Sequence, residues 1–119
     1  MAVIGKDFWG PSYWDVLHAS AVTYTPDKAE HYVALVFAYT GLLPCEMCRS
    51  NLLRNLKKHP VDKYLQDNHT LFFWSYILHD MVNKEYNMHH PDMPAKISPP
   101  FQVVKRHWFS GLGVPCRTC

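Results

Sequence analysis

Two cysteines three positions apart, Cys45 and Cys48, carry the most reactive chemistry in this 119-residue chain. They follow Gly41-Leu42-Leu43-Pro44 and lead into an amphipathic run. Proline lacks the amide hydrogen that a helix start leaves unpaired, so Pro44 is expected to open a helix at the pair. The first thiol then falls in the first turn, where free N–H groups and the positive end of the macrodipole favour thiolate, the reactive form. A disulfide across so small a ring is geometrically demanding and easily reduced. The pair therefore reads as a redox switch, with half of a tetrahedral zinc site as the competing reading.

The remaining two cysteines repeat the spacing near the end of the sequence, in Cys116-Arg117-Thr118-Cys119. Together the pairs could form a four-thiolate zinc module with a structural or interaction role, but they lie much farther apart than the roughly 15–20 residues of a zinc ribbon. A thioredoxin-like oxidoreductase would need a βαβ setting, and no strand pattern precedes Cys45. A purely structural helical dimer is the last alternative. His89 and His90 are adjacent in a proline-rich stretch and read as solvated, so no metal ligands are expected there.

Composition narrows the function classes. Formal charge is +2 with lysine and arginine scattered, which does not suit nucleic acid. No apolar run is long enough to span a membrane, and the first ten residues lack the features of a secretory signal. A soluble, unexported protein is expected, and in a reducing compartment paired cysteines point to redox work or metal. Aromatic residues make up 14%, including four Trp and seven Tyr, enough for a dense core or for a flat ring-shaped ligand.

The elements that must position the pair are helices. Ser12 to Asp15 resembles a capping box, and Trp14, Leu17, His18 and Ala21 follow at helical spacing, predicting a helix over 11–24. Thr25-Pro26-Asp27 starts a second, with Val33, Val36, Phe37 and Thr40 on one face and Gly41 as its stop. The third runs from Pro44 or Cys45 to Lys58, burying Leu52, Leu53 and Leu56. After a short turn at 61–66, Asn68 or Thr70 caps a long helix over 71–86. Four prolines make 87–100 a loop, and a short fifth helix follows from Ser98 to Phe109. The fold class is thus all-α, a four-helix bundle with a short fifth helix. Residues 1–110 form one domain and 111–119 a flexible tail bearing the second cysteine pair.

Two i, i+4 pairs, Trp14/His18 and His79/Asn83, place rings and polar tips on the inward faces of their helices. Polar groups aimed into a bundle need partners, and a heteroaromatic cofactor would supply them. In order along the chain, Gly10-Pro-Ser-Tyr-Trp14-Asp-Val-Leu-His18, Pro44-Cys45-Glu-Met-Cys48, Trp74 and His79-Asp80-Met-Val82-Asn83 resemble the signature of the Erv/ALR family of FAD-linked sulfhydryl oxidases, and the short form with a cysteine-bearing tail is similar to members encoded by large cytoplasmic DNA viruses.

That resemblance implies FAD held non-covalently within the bundle, and a homodimer. It implies that Cys48 lies against the flavin, that Cys45 receives electrons from a protein dithiol, thioredoxin-like or viral, and that Cys116 and Cys119 shuttle electrons. Electrons would pass on to oxygen, giving hydrogen peroxide, in the host cytoplasm. Cofactor contacts carry over to Gly10, Trp14, His18, Tyr39, Cys48, His79, Val82, Asn83 and Trp108. The chain lacks the structural cysteines that brace many cellular members of the family, and it departs from the family at two further positions. Asp80 stands where the family has asparagine, and a family lysine falls on Met88, leaving Lys84 or Lys96 for its phosphate contact.

Overall fold

The computed structural model describes residues 4–114; the Cys116/Cys119 pair and most of the expected tail lie outside the described residues. Five α-helices form the fold: α1 (Lys6–Val22), α2 (Ala29–Leu42), α3 (Glu46–Lys58), α4 (Asn68–His89) and α5 (Phe101–Phe109). Single 3-10 turns at Pro26–Lys28 and Val61–Tyr64 precede α2 and α4. No strand occurs among the described residues, so the βαβ setting of a thioredoxin-like protein is absent from them.

Helix α4 is the axis of the bundle. Its 22 residues span about 33 Å at 1.5 Å per residue, and its inner face, Leu71, Phe72, Trp74, Ser75 and Leu78, is fully buried. α1 packs most extensively along it, contributing Leu17 and Ala21 to the same core as Tyr32 and Val36 of α2 and Leu52 of α3. Tyrosine hydroxyls tie the helices together by donating to carbonyls that keep a second lone pair free. Tyr32 donates to Leu17 O at 2.9 Å, Tyr39 to Tyr13 O at 3.0 Å, and Tyr24 to Leu65 O at 2.8 Å. The Trp74 indole donates to His59 O at 2.9 Å, joining the end of α3 to α4.

Several element ends differ from the sequence expectation. α1 begins at Lys6, so Ser12 and Asp15 lie inside it and no capping box forms. Asp67 caps α4, its carboxylate accepting from the Thr70 amide at 2.7 Å; Asn68 instead donates to Val22 O at 2.9 Å and closes the end of α1. α5 starts at Phe101, because Ser98 is engaged with α4 and Pro99-Pro100 cannot extend a hydrogen-bonded ladder. Phe37 and Leu53 are exposed at 67% and 45%, not buried. The inner face of α2 is Tyr32, Val36 and Tyr39, and that of α3 includes Asn55.

Candidate active site

Cys45 is the N-cap of α3, not its first helical residue, because its backbone is extended at φ −143°, ψ 119°. Pro44 therefore precedes the cap. The Cys45 Sγ accepts the Cys48 amide hydrogen at 3.2 Å, which places both sulfurs on the opening turn. Arg49 donates to Leu43 O and braces the chain entering this turn.

The two thiols have different surroundings. Cys48 forms part of the wall of a cavity of about 270 Å³, whereas Cys45 does not. Burial pushes Cys45 up, but the hydrogen bonds from Cys48 and the nearby Lys6 ammonium outweigh it, and the thiol lies below its usual range. Burial drives Cys48 the other way, helped by the hydrogen bond to Cys45 and opposed by Lys6, to about 11. Both are free thiols here.

The cavity lies between α1, α4 and the start of α3, and rings dominate its wall: Trp9, Tyr13, Trp14, Tyr39, His79 and Tyr86. Leu17, Leu52, Leu78 and Val82 complete its apolar base. Of the residues expected to hold a cofactor, Gly10, Trp14, Tyr39, Cys48, His79, Val82 and Asn83 are brought together in this wall. Trp14 and His79 stack with centroids 4.0 Å apart and planes within 9°. His18 lies behind them, buried, with Nδ1 2.9 Å from Ser75 Oγ and Nε2 3.2 Å from His79 Nδ1. Burial holds both histidines at about 4; for His18 the neighbouring His79 adds to it, and for His79 Lys96 does. Trp108 packs beyond His18 at 5.7 Å and is not part of the wall.

Lys84 does not reach the cavity. It is largely exposed and pairs with Asp80 at 2.8 Å. Lys96 does reach it, held over the Tyr86 ring at 4.3 Å and 3.6 Å from Asp7. Asp80 also accepts from Ser98 Oγ at 2.8 Å, and Asn83 Nδ2 donates to the same hydroxyl at 3.0 Å. Asn87 completes a two-way pairing with Lys96, so residues 96–100 run as a strap along α4. The carboxylate at position 80 thus serves the strap through Ser98, which is the role the sequence left open.

Sequence reasoning missed Lys6, Trp9, Asn51 and Ser75. Only Ser75 left a signal, as a hydroxyl one turn before His79 on an apolar stripe. His89 and His90 line the cavity mouth, and among the described residues no three His, Cys, Asp or Glu side chains converge as a metal site. The wall fits a flat heteroaromatic group: stacked rings offer faces, Lys6 and Lys96 offer positive charge, and the buried Trp9 indole N–H has no acceptor among the described residues.

A dithiol opening a helix, with one sulfur in the wall of an aromatic cavity and no sheet behind it, defines a thiol–disulfide redox protein built on a helical bundle. The Erv1/Alr family model matches residues 11–108, and the chain belongs to that family. Its relatives include an FAD-linked sulfhydryl oxidase of African swine fever virus (isolate Tick/Malawi/Lil 20-1/1983), 34% identical over 83 residues that cover 66% of this chain and 68% of the relative. A probable FAD-linked sulfhydryl oxidase of Acanthamoeba polyphaga mimivirus is 32% identical over 80 residues, 63% of this chain and 56% of the relative. A putative one of Invertebrate iridescent virus 3 is 27% identical over 97 residues, 78% of this chain and 64% of the relative.

Proposed function

We propose that this chain is an FAD-linked sulfhydryl oxidase that forms disulfides in protein dithiols. The observation that carries the reading is the split between the thiols: Cys48 is in the wall of the aromatic cavity and Cys45, one turn away, is outside it. FAD bound there supplies a two-electron sink that returns the dithiol to its disulfide and passes the electrons to oxygen.

The chain's own residues account for the exchange chemistry. A substrate thiolate attacks the Cys45 Sγ of the Cys45–Cys48 disulfide; the S–S bond breaks, a mixed disulfide forms at Cys45, and Cys48 leaves as a thiolate. Lys6 lowers the cost of that negative charge. The second substrate thiolate then attacks the substrate sulfur of the mixed disulfide and expels Cys45. Because Cys45 has the lower thiol pKa of the pair, it is the better leaving group for this step. The substrate departs as a disulfide and the enzyme holds two thiols. Trp14, Tyr39 and His79 would hold the cofactor rings and exclude water, and Lys96 would supply positive charge for its phosphates. In this reading Cys116 and Cys119 relay electrons from a protein dithiol, the protein works as a homodimer, and its compartment is the host cytoplasm.

The test is the absorption spectrum of the purified chain together with oxygen uptake on dithiothreitol. A bound flavin is expected, with Cys48→Ser inactive and a Cys116→Ser/Cys119→Ser variant active on dithiothreitol but impaired on a protein dithiol. A colourless chain that takes up no FAD, or full oxidase activity in Cys48→Ser, would overturn the proposal.

A further inference from the structure

A chain of three hydrogen bonds enters the cavity wall from the core, and its direction is fixed at its buried end. Ser75 Oγ lies 2.7 Å from the Phe72 carbonyl oxygen. A carbonyl has no hydrogen to give, so at this separation the hydroxyl hydrogen must lie between the two oxygens, because two bare acceptors would repel. Ser75 therefore has only lone pairs to offer His18, and the 2.9 Å contact requires a hydrogen on His18 Nδ1. A neutral imidazole carries one hydrogen, so His18 Nε2 is an acceptor. The hydrogen in the 3.2 Å contact between the rings then belongs to His79 Nδ1. His79 is left with an unprotonated Nε2.

That nitrogen has no protein partner among the described residues, and His79 lines the cavity. Trp14 stacks on the face of the His79 ring, a contact that uses neither ring nitrogen. We propose that Ser75 is a positioning residue: through His18 it fixes the tautomer of His79, so that the cavity-side nitrogen accepts a hydrogen bond from an N–H or O–H group of the bound cofactor. The proposal deepens the flavin reading above and rests on it. Both rings stay neutral well below physiological pH: burial, reinforced by His79, keeps His18 uncharged, and burial, reinforced by Lys96, outweighs the opposing carboxylates of Asp80 and Asp15 at His79. Ser75 itself touches no ligand, since it is fully buried beneath His18.

The test combines nitrogen-15 NMR of the histidine rings in the flavin-loaded chain with the FAD dissociation constant. In the wild type, His18 and His79 are both expected to carry their proton on Nδ1. Ser75→Ala removes the acceptor that fixes the order, so protons should move to Nε2 and FAD should bind about tenfold more weakly, the scale of one buried hydrogen bond. Ser75→Thr keeps a hydroxyl able to reach the same backbone carbonyl and should restore both readouts. A wild-type His79 protonated at Nε2 overturns the proposal, as do tautomers or affinity unchanged in Ser75→Ala. Should Ser75→Ala fail to fold, the wild-type spectrum decides the tautomers and Ser75→Thr the affinity. A wild-type chain that binds no FAD refutes the flavin reading instead, and its histidine spectrum still decides the order of the relay.

Discussion

Lowering the pH should destabilise this protein in a window that belongs to two histidines, the buried His18 and the half-buried His79. An unfolded histidine titrates near 6.5, whereas His18 and His79 are held at about 4 in the fold, chiefly by burial. Between those values the unfolded chain binds more protons than the folded one, so stability falls as pH falls. It is complete above about pH 6.5 and lost progressively toward pH 4. A separation of two and a half pH units at 1.36 kcal/mol each gives about 3 kcal/mol for a single histidine. That is a large share of the 5–15 kcal/mol typical of a small domain. The assay is urea denaturation followed by circular dichroism at saturating FAD, at steps from pH 7.5 to 4. The carboxylates of Asp67 and Asp80 are depressed by their hydrogen bonds to Thr70 and Lys84, and their contribution is lost only below the ordinary carboxylate range. Their signal is therefore separate from that of the histidines. His59, also lowered by burial, adds a smaller effect of the same sign, so a His18→Gln/His79→Gln variant should show a shallower slope rather than none. An unfolding free energy that is flat between pH 6.5 and 4.5, or a slope as steep in the double variant as in the wild type, would refute the argument.

Two further outcomes are expected. Asp67→Ala leaves the Thr70 amide without its cap and should cost about 1 kcal/mol, read as a lower urea midpoint with unchanged slope; an unaltered midpoint would show that α4 does not depend on this cap. Lys6→Met removes the cation that lowers both thiols, so the rate of Cys45 alkylation plotted against pH should move to higher pH, and an unmoved profile would exclude Lys6 from the exchange chemistry.

The helices themselves were readable because each carries an apolar stripe at its own period, a signal that survives without tertiary information. Their ends were not. Ser12 to Asp15 has the letters of a capping box but lies inside α1, since Lys6–Gly10 continues the helix upstream and caps depend on where the chain enters. Phe37 and Leu53 are apolar but fall on the outer sides of α2 and α3, while the polar Asn55 is fully buried. Hydrophobicity alone ranks those positions wrongly, because which face turns inward depends on the neighbouring helix. Residues one turn apart on one helix, Trp14 with His18 and His79 with Val82 and Asn83, were legible from their spacing, although His18 lies behind the cavity wall, not in it; Gly10 was legible only through the family resemblance. Lys96 and Ser75 were harder to read, because their roles depend on the register of one element against another.

The opening turn of α3 shows why the cysteine spacing matters more than the helix dipole invoked for it. If both cysteines were in the first turn, each amide-rich environment would lower its thiol and the pair would be nearly symmetric. As N-cap, Cys45 alone receives the Cys48 amide, and Cys48 alone turns toward the cavity rings. Burial, with the hydrogen bond to Cys45, moves the Cys48 thiol upward, while at Cys45 the hydrogen bonds from Cys48 overcome burial and move it downward. The lower thiol is the better leaving group in exchange with a substrate, and the higher one is the stronger nucleophile once ionised. The first property serves the sulfur outside the cavity and the second the sulfur within it, so the cap at Cys45 and the burial of Cys48 together give identical side chains different tasks.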